Sequence, residues 1–199
     1  MVASTRYLCD ICLRCVVCGP SGKTTAVSIL TGLTSPNGGE AYIQGFDIAT
    51  QMQSVHKCIG VCPQFDKIWP DLTVRQHLEF YCMLKGVPLS RRTIAARKLA
   101  EKVELSGDAF NKAASTLSGG MRRRLSIAIA LTESPPVLFF DEPTTGLDPE
   151  TRRSIWGIIQ KQQAEGKTAI VTTHSMEEAD VRAVRPAPGG LRLPRIVCT

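Results

Sequence analysis

Apolar positions recur at two periods along this chain, and the alternation between them predicts the fold. Cys15–Cys18 is a short apolar run that ends at Gly19-Pro20 and reads as a strand. The spacing then predicts a helix from about Lys23 to Gly32, with Val27, Leu30 and Thr31 on one face. Ser35-Pro36-Asn37-Gly38-Gly39 is a turn cluster, Ala41–Ile43 a short strand broken by Gly45, and Ile59–Cys62 a buried strand stopped by Pro63.

From residue 66 to 116 the pattern is helical and amphipathic. Thr73 and Gln76 form a capping box ahead of Val74, Leu78, Tyr81 and Cys82 at helical spacing. Further helices are expected over Arg92–Val103 and, after Ser118, over Gly119–Leu131. Val137–Phe140 is continuously apolar, too short for a helix and bounded by Pro136, which suits a strand buried on both faces of a parallel sheet. Asp148 is placed to cap a helix with Pro149 at its first position. Ala169–Val171 is another buried strand, and Ser175 with Glu178 caps a last helix. Strand, loop and helix repeated in this order predict an α/β fold with a parallel sheet and a helical insertion. After Ala183, three prolines and a Gly-Gly pair interrupt any period, so a disordered or weakly packed tail is expected.

Charge changes the picture little. The net charge of +6 sits mostly at the ends. Residues 181–199 carry four arginines and no acid, and residues 1–18 two arginines and one aspartate, which leaves +1 on 19–180. That distribution argues against a nucleic-acid surface. The basic run Arg122–Arg124 reads as a solvated helix face. No apolar run reaches 18 residues, so no transmembrane segment is expected in this chain. Of eight cysteines, Cys9, Cys12, Cys15 and Cys18 stand at metal-ligand spacing. In an extended strand Cys15 and Cys18 point to opposite faces and could not share one ion. The scattered remainder suits a reducing compartment.

Four segments carry candidate chemistry. Gly19-Pro20-Ser21-Gly22-Lys23-Thr24-Thr25 stands between a strand and a helix, where backbone N–H groups and a helix N-terminus can cradle phosphates. Lys23 could reach the β/γ-phosphates, and the Thr24 hydroxyl could bind Mg²⁺. The strict pattern G-x4-G-K-[ST] would need glycine at 17, where Val17 stands. Leu138–Pro143 delivers Asp141 and Glu142 at the end of an apolar strand, where open α/β sheets place ligands. Asp141 could hold Mg²⁺, and Glu142 could polarise a water. Leu117-Ser118-Gly119-Gly120-Met121 combines a helix cap with two glycines that allow close approach of a phosphate. Gln64 and His174 each follow a strand and say little alone.

Taken in order, these segments resemble the nucleotide-binding domain of ABC transporters. The matching text is Leu117–Met121, Phe140-Asp-Glu-Pro-Thr-Thr-Gly-Leu-Asp-Pro149 and Thr172-Thr-His-Ser-Met176. Cys62-Pro63-Gln64-Phe65-Asp66 and the Met121 ending are similar to the A subfamily, whose members mostly move lipids. The resemblance implies a P-loop NTPase (RecA-like) core at 19–65 and 134–180, an inserted helical subdomain at 66–133, and an incomplete N-terminal β part. Residues 1–18 would then be an atypical leading segment and 181–199 the tail.

By the same resemblance, Gly19, Ser21, Gly22, Lys23, Thr24 and Thr25 hold the phosphates of ATP. Thr24, Gln64 and Asp141 are linked to Mg²⁺. Glu142 is the general base, Gln64 the Q-loop residue and His174 the switch histidine. Ser118, Gly119 and Gly120 bind the γ-phosphate of ATP held by a second, facing nucleotide-binding domain, and Asp148 stands at that interface. The other implied partners are transmembrane domains, which would place the chain on the cytosolic face of a membrane.

Against the family's Gly-Pro-x-Gly-x-Gly-Lys-Thr, the phosphate loop here is two residues short, up to about 7 Å of extended chain. Held in register from Lys23, it puts Pro20 in the cradle, where it supplies no N–H. Tyr7 stands too near Lys23 for the family's adenine-stacking aromatic. Other readings stay open: a binding or regulatory fragment without hydrolysis, an ABC-type ATPase acting on DNA or ribosomes, and a cysteine–metal module at 9–18.

Overall fold

The run Val137–Phe140 organises the molecule. In the computed structural model, which describes residues 11–13, 22–173 and 197–198, it forms strand β5 (Val137–Asp141), with all five residues buried. β5 lies between β4 (Ile59–Cys62) and β6 (Thr168–Thr172) in a parallel sheet, and β7 (Val197–Cys198) adds to β6. Alternate side chains of β5 enter two cores. Val137 and Phe139 pack with Val27, Leu30, Val55 and Ile59, while Leu138 and Phe140 pack with Leu125, Ile127, Ile155 and Ile159. A strand buried on both faces has no polar position to offer, which is why its sequence reads as an unbroken apolar run.

Helix α1 (Gly22–Leu30) covers one face, and Val27, Leu30 and Thr31 are buried as their spacing requires. Beside it, α2 (Met52–Cys58) buries Val55. The sequence pattern did not mark α2: with one buried position in seven residues it has almost no apolar stripe. A separate antiparallel sheet joins β1 (Ile11–Leu13), β2 (Ala41–Ile43) and β3 (Phe46–Asp47). The expected strand at Cys15–Cys18 lies outside the described residues, as do the cysteine array apart from the backbone of Cys12, the capping pair Ser175 and Glu178, and most of the tail.

The other face carries α3 (Val74–Leu84), α4 (Leu89–Lys102), α5 (Gly119–Ala130) and α6 (Pro149–Ala164), with two short 3₁₀ turns at Gly107–Asn111 and Ala114–Thr116. The Thr73–Gln76 capping box is formed in full. Helix α4 begins three residues earlier than its apolar pattern suggested, because Pro88 initiates it and Leu89 stays exposed. Helix α5 crosses β4 closely at Gly60. A Cβ there would lie 1.9 Å from the Ala130 carbonyl oxygen, so only glycine lets the helix approach the strand.

Arg122–Arg124 corrects an expectation. Arg123 is 4% exposed, and Arg124 reaches Ser154 on α6 and Glu104. The run is therefore not a solvated face. Arg123 shares a helical stripe with Ser126, Ile127 and Ala130, all buried, and that spacing was the available signal.

Candidate active site

Three neighbouring parallel strands end at the same edge of the sheet. In register, Cys62 of β4 pairs with Phe140, and Asp141 of β5 pairs with Thr172 of β6. The segments that leave this edge carry Gln64, Asp141 and Glu142, so residues far apart in sequence meet. Gln64 Nε2 donates to Glu142 Oε2 at 3.0 Å, and Thr145 Oγ1 donates to the same oxygen at 3.1 Å.

Glu142 has φ +46°, in the left-handed region that a side chain normally avoids. Such a conformation costs about 1–3 kcal/mol and persists only where its surroundings impose it. Thr172 does so. The Glu142 N–H donates to Thr172 Oγ1 at 3.0 Å and is shared with the Thr172 carbonyl at 3.2 Å. The same hydroxyl uses its one proton on Asp141 Oδ1. One threonine therefore orients both acids, a role that its place in Thr172-Thr-His did not announce. Both carboxylates are almost wholly buried, at 6% and 8% exposure. A buried carboxylate needs hydrogen bonds or a cation, and these donors supply part of that requirement.

The phosphate-loop residues are placed in part. Gly22 and Lys23 open α1, and Thr24 and Thr25 are exposed in the same first turn, where helix N–H groups lack intrahelical partners. Gly19, Ser21 and His174 lie outside the described residues.

Ser118 and Asp148 form a second locus. Ser118 caps α5 by accepting the Met121 N–H at 3.2 Å, and Asp148 caps α6 by accepting the Thr151 N–H at 2.9 Å. That bond also holds the Asp148 carboxyl below its ordinary pKa. The two glycines after Ser118 differ. A Cβ on Gly119 would meet nothing within 4 Å, whereas one on Gly120 would lie 2.7 Å from the Thr151 methyl. Gly119 leaves open space, and Gly120 serves the packing of α5 on α6.

The oxygen donors Thr24, Gln64 and Asp141 suit Mg²⁺ in kind, since a hard cation takes carboxylate, carbonyl and hydroxyl oxygens. The amide nitrogen of Gln64 is turned to Glu142, so its side-chain oxygen is not used in that bond. Among the described residues there is no cluster of three or more His, Cys, Asp or Glu side chains that could hold a metal alone.

A parallel sheet whose strand ends present paired acids beside a glutamine, with a helix N-terminus after the first apolar run, defines a P-loop nucleotide-binding domain. The chain belongs to the ABC transporter family, whose model matches residues 15–145. It is an ATP-binding domain of the A-subfamily type. It is 49% identical over 171 residues to ABC transporter A family member 9 of Arabidopsis thaliana, covering 84% of this chain and 18% of that protein. Against ABC transporter A family member 7 of Dictyostelium discoideum it is 46% identical over 171 residues, covering 85% and 20%. Against the human phospholipid-transporting ATPase ABCA3 it is 44% identical over 167 residues, covering 84% and 10%. The chain thus spans between a tenth and a fifth of these relatives' lengths. Among solved structures it resembles the ATP-binding cassette MJ0796, seen as a dimer in a post-hydrolysis state bound to ADP and Pi. That match has a TM-score of 0.69 and 30% identity, and covers 78% of this chain and 71% of the other.

Proposed function

We propose that this domain binds ATP with Mg²⁺ and hydrolyses it to drive transport of a lipid-like substrate across a membrane. The observation that carries the reading is the Gln64–Glu142 hydrogen bond at the strand ends. It aims a buried carboxylate, held in a strained conformation, at the place where the fold admits a ligand.

In this reading the first turn of α1 binds the phosphates through its N–H groups, with Lys23 and Thr24 adding charge and hydroxyl. Thr24, Gln64 and Asp141 would hold Mg²⁺, which would supply positive charge to offset that of the phosphates. Glu142 accepts a hydrogen bond from the attacking water and takes its proton. Gln64 and Thr145 keep that carboxylate from turning away. His174, two residues beyond Thr172, contacts the γ-phosphate.

Ser118, Gly119 and Gly120 stand at the N-terminus of α5 and complete the site of a second domain. A facing nucleotide-binding domain, as in the dimeric MJ0796, would do the same for this one. No helix among the described residues is long and apolar enough to cross a membrane, and the reading takes transmembrane domains as partners of this one. The division is a core at 19–65 and 134–180 with a helical subdomain at 66–133, on the cytosolic face. Likeness to A-family proteins, one of them named a phospholipid-transporting ATPase, supports a lipid-like substrate.

The deciding measurement is ATP turnover of the full chain and of Glu142→Gln at high protein concentration, where two domains can meet. Wild-type turnover about 10²-fold or more above the variant is expected. Equal rates would overturn the reading. Nucleotide binding without turnover would instead favour a regulatory domain, for which the short Gly19–Lys23 spacing argues.

A further inference from the structure

Arg123 occupies a position that the catalytic reading above leaves unused. Its side chain is 5% exposed, and its guanidinium has five N–H groups in one plane. Nε donates to the Pro143 carbonyl at 2.9 Å. Nη2 donates to the carbonyls of Asp141 and Glu142 at 2.9 and 3.2 Å. Nη1 donates to the carbonyls of Pro63 and Gln64 at 2.6 and 3.2 Å, and to Asp66 Oδ1 at 3.1 Å. Every acceptor lies in one of two segments, 63–66 after β4 or 141–143 at the end of β5 and just beyond it. These are the segments whose side chains form the Gln64–Glu142 bond.

A planar fork matters here. Carbonyls from two separate loops converge on one group, and only donors spread over three nitrogens can satisfy them together. A lysine keeps the charge but offers three donors from a single nitrogen. The ring of partners is mostly neutral, with Asp66 as the one carboxylate hydrogen-bonded to it. The contact is therefore chiefly a matter of geometry.

We propose that Arg123 is a positioning residue for ATP hydrolysis, holding segments 63–66 and 141–143 in one register on α5 so that Gln64 meets Glu142. The inference rests on the ATPase reading for its catalytic consequence. Its structural half, the clamp, can be read separately through Cys62. That thiol is fully buried, lies directly before Pro63, and sits 3.6 Å from Ser126 Oγ. With no exposed surface the sulfur is out of reach of an alkylating reagent while its cover stays closed.

The experiment uses the full chain, comparing wild type with Arg123→Lys. Three quantities are measured: affinity for a fluorescent ATP analogue, kcat, and the rate of Cys62 alkylation by N-ethylmaleimide, located by peptide mass. We expect affinity within about threefold of wild type, kcat lower by about tenfold or more, and Cys62 labelled about tenfold faster. A kcat within about twofold of wild type would overturn the inference. So would affinity and kcat falling in parallel, the sign of a merely structural residue. If Arg123→Lys does not fold, Asp66→Ala removes one acceptor of the same clamp; it must lower kcat at unchanged affinity, and an unchanged kcat overturns the proposal. A wild-type chain without turnover sinks the ATPase reading, and Cys62 labelling then decides the clamp: equal rates in wild type and Arg123→Lys overturn it, a faster rate in the variant supports it.

Discussion

Gln64 and Glu142 are 78 positions apart and share a 3.0 Å hydrogen bond from amide to carboxylate. The bond exists because β4 and β5 are parallel neighbours in register, so that both chains leave the sheet side by side. A glutamine placed in this way holds the carboxylate that it touches and keeps its own carbonyl for another ligand.

If the two act as one unit, their substitutions will not multiply. Gln64→Leu removes the donor at similar volume, and kcat should fall by about tenfold with nucleotide affinity nearly unchanged. In a Glu142→Gln background the same change should cost almost nothing further. Steady-state turnover of the four proteins tests this. Independent, multiplicative losses would show that the bond has no part in the reaction.

The glycines after Ser118 give a prediction about stability. Gly120→Ala drives a methyl against the Thr151 side chain and should destabilise the protein by about 1–3 kcal/mol. Gly119→Ala meets open space and should stay within about 0.5 kcal/mol of wild type. Adding Thr151→Ala removes the methyl and hydroxyl that a Cβ on Gly120 would strike, leaving Thr151 Cβ at an ordinary 3.5 Å. Denaturant unfolding should therefore show Gly120→Ala rescued by Thr151→Ala. An unrescued loss would place the need for Gly120 elsewhere.

His77 makes stability depend on pH. It is fully buried, with Nε2 accepting the Trp69 N–H at 2.9 Å and Nδ1 donating to the Thr73 carbonyl at 2.8 Å. Both ring nitrogens are committed to the neutral form, because a proton on Nε2 would face another N–H. Burial lowers its pKa below the ordinary 6.5, while the Thr73 bond works the other way. Since the folded pKa is the lower one, the unfolded chain takes up the proton first as pH falls. The contribution is therefore complete above about pH 6.5 and is lost on acidification below it. Unfolding midpoints at pH 7.5 and 5.5 should converge when His77→Gln is compared with wild type at the lower pH. A constant gap between the two proteins would refute the assignment.

Periodicity and local chemistry were enough for much of this molecule. The apolar run at 137–140, the cap at Asp148-Pro149, the Thr73–Gln76 box and the buried stripe of α1 are signals within a few residues of one another, and each appears as its spacing demands. The order of Gln64, the Ser-Gly-Gly segment and the acid pair was likewise readable as family resemblance, because those residue types stand in continuous stretches of chain.

What the sequence could not show is anything that arises between segments. Arg123 looked like one of three solvated cations until the fold brought two loops of carbonyls around it. Thr172 was only the first residue of the Thr-Thr-His segment until parallel register set its hydroxyl between Asp141 and Glu142. Gly120 was half of a glycine pair until α6 came to rest against it. Hydrophobic pattern and capping are one-dimensional and act over a turn or two, so sequence alone determined most of the elements and their order, α2 excepted. Hydrogen-bond direction and close packing depend on where segments 20 to 78 residues apart are laid together, and only the tertiary structure decided those.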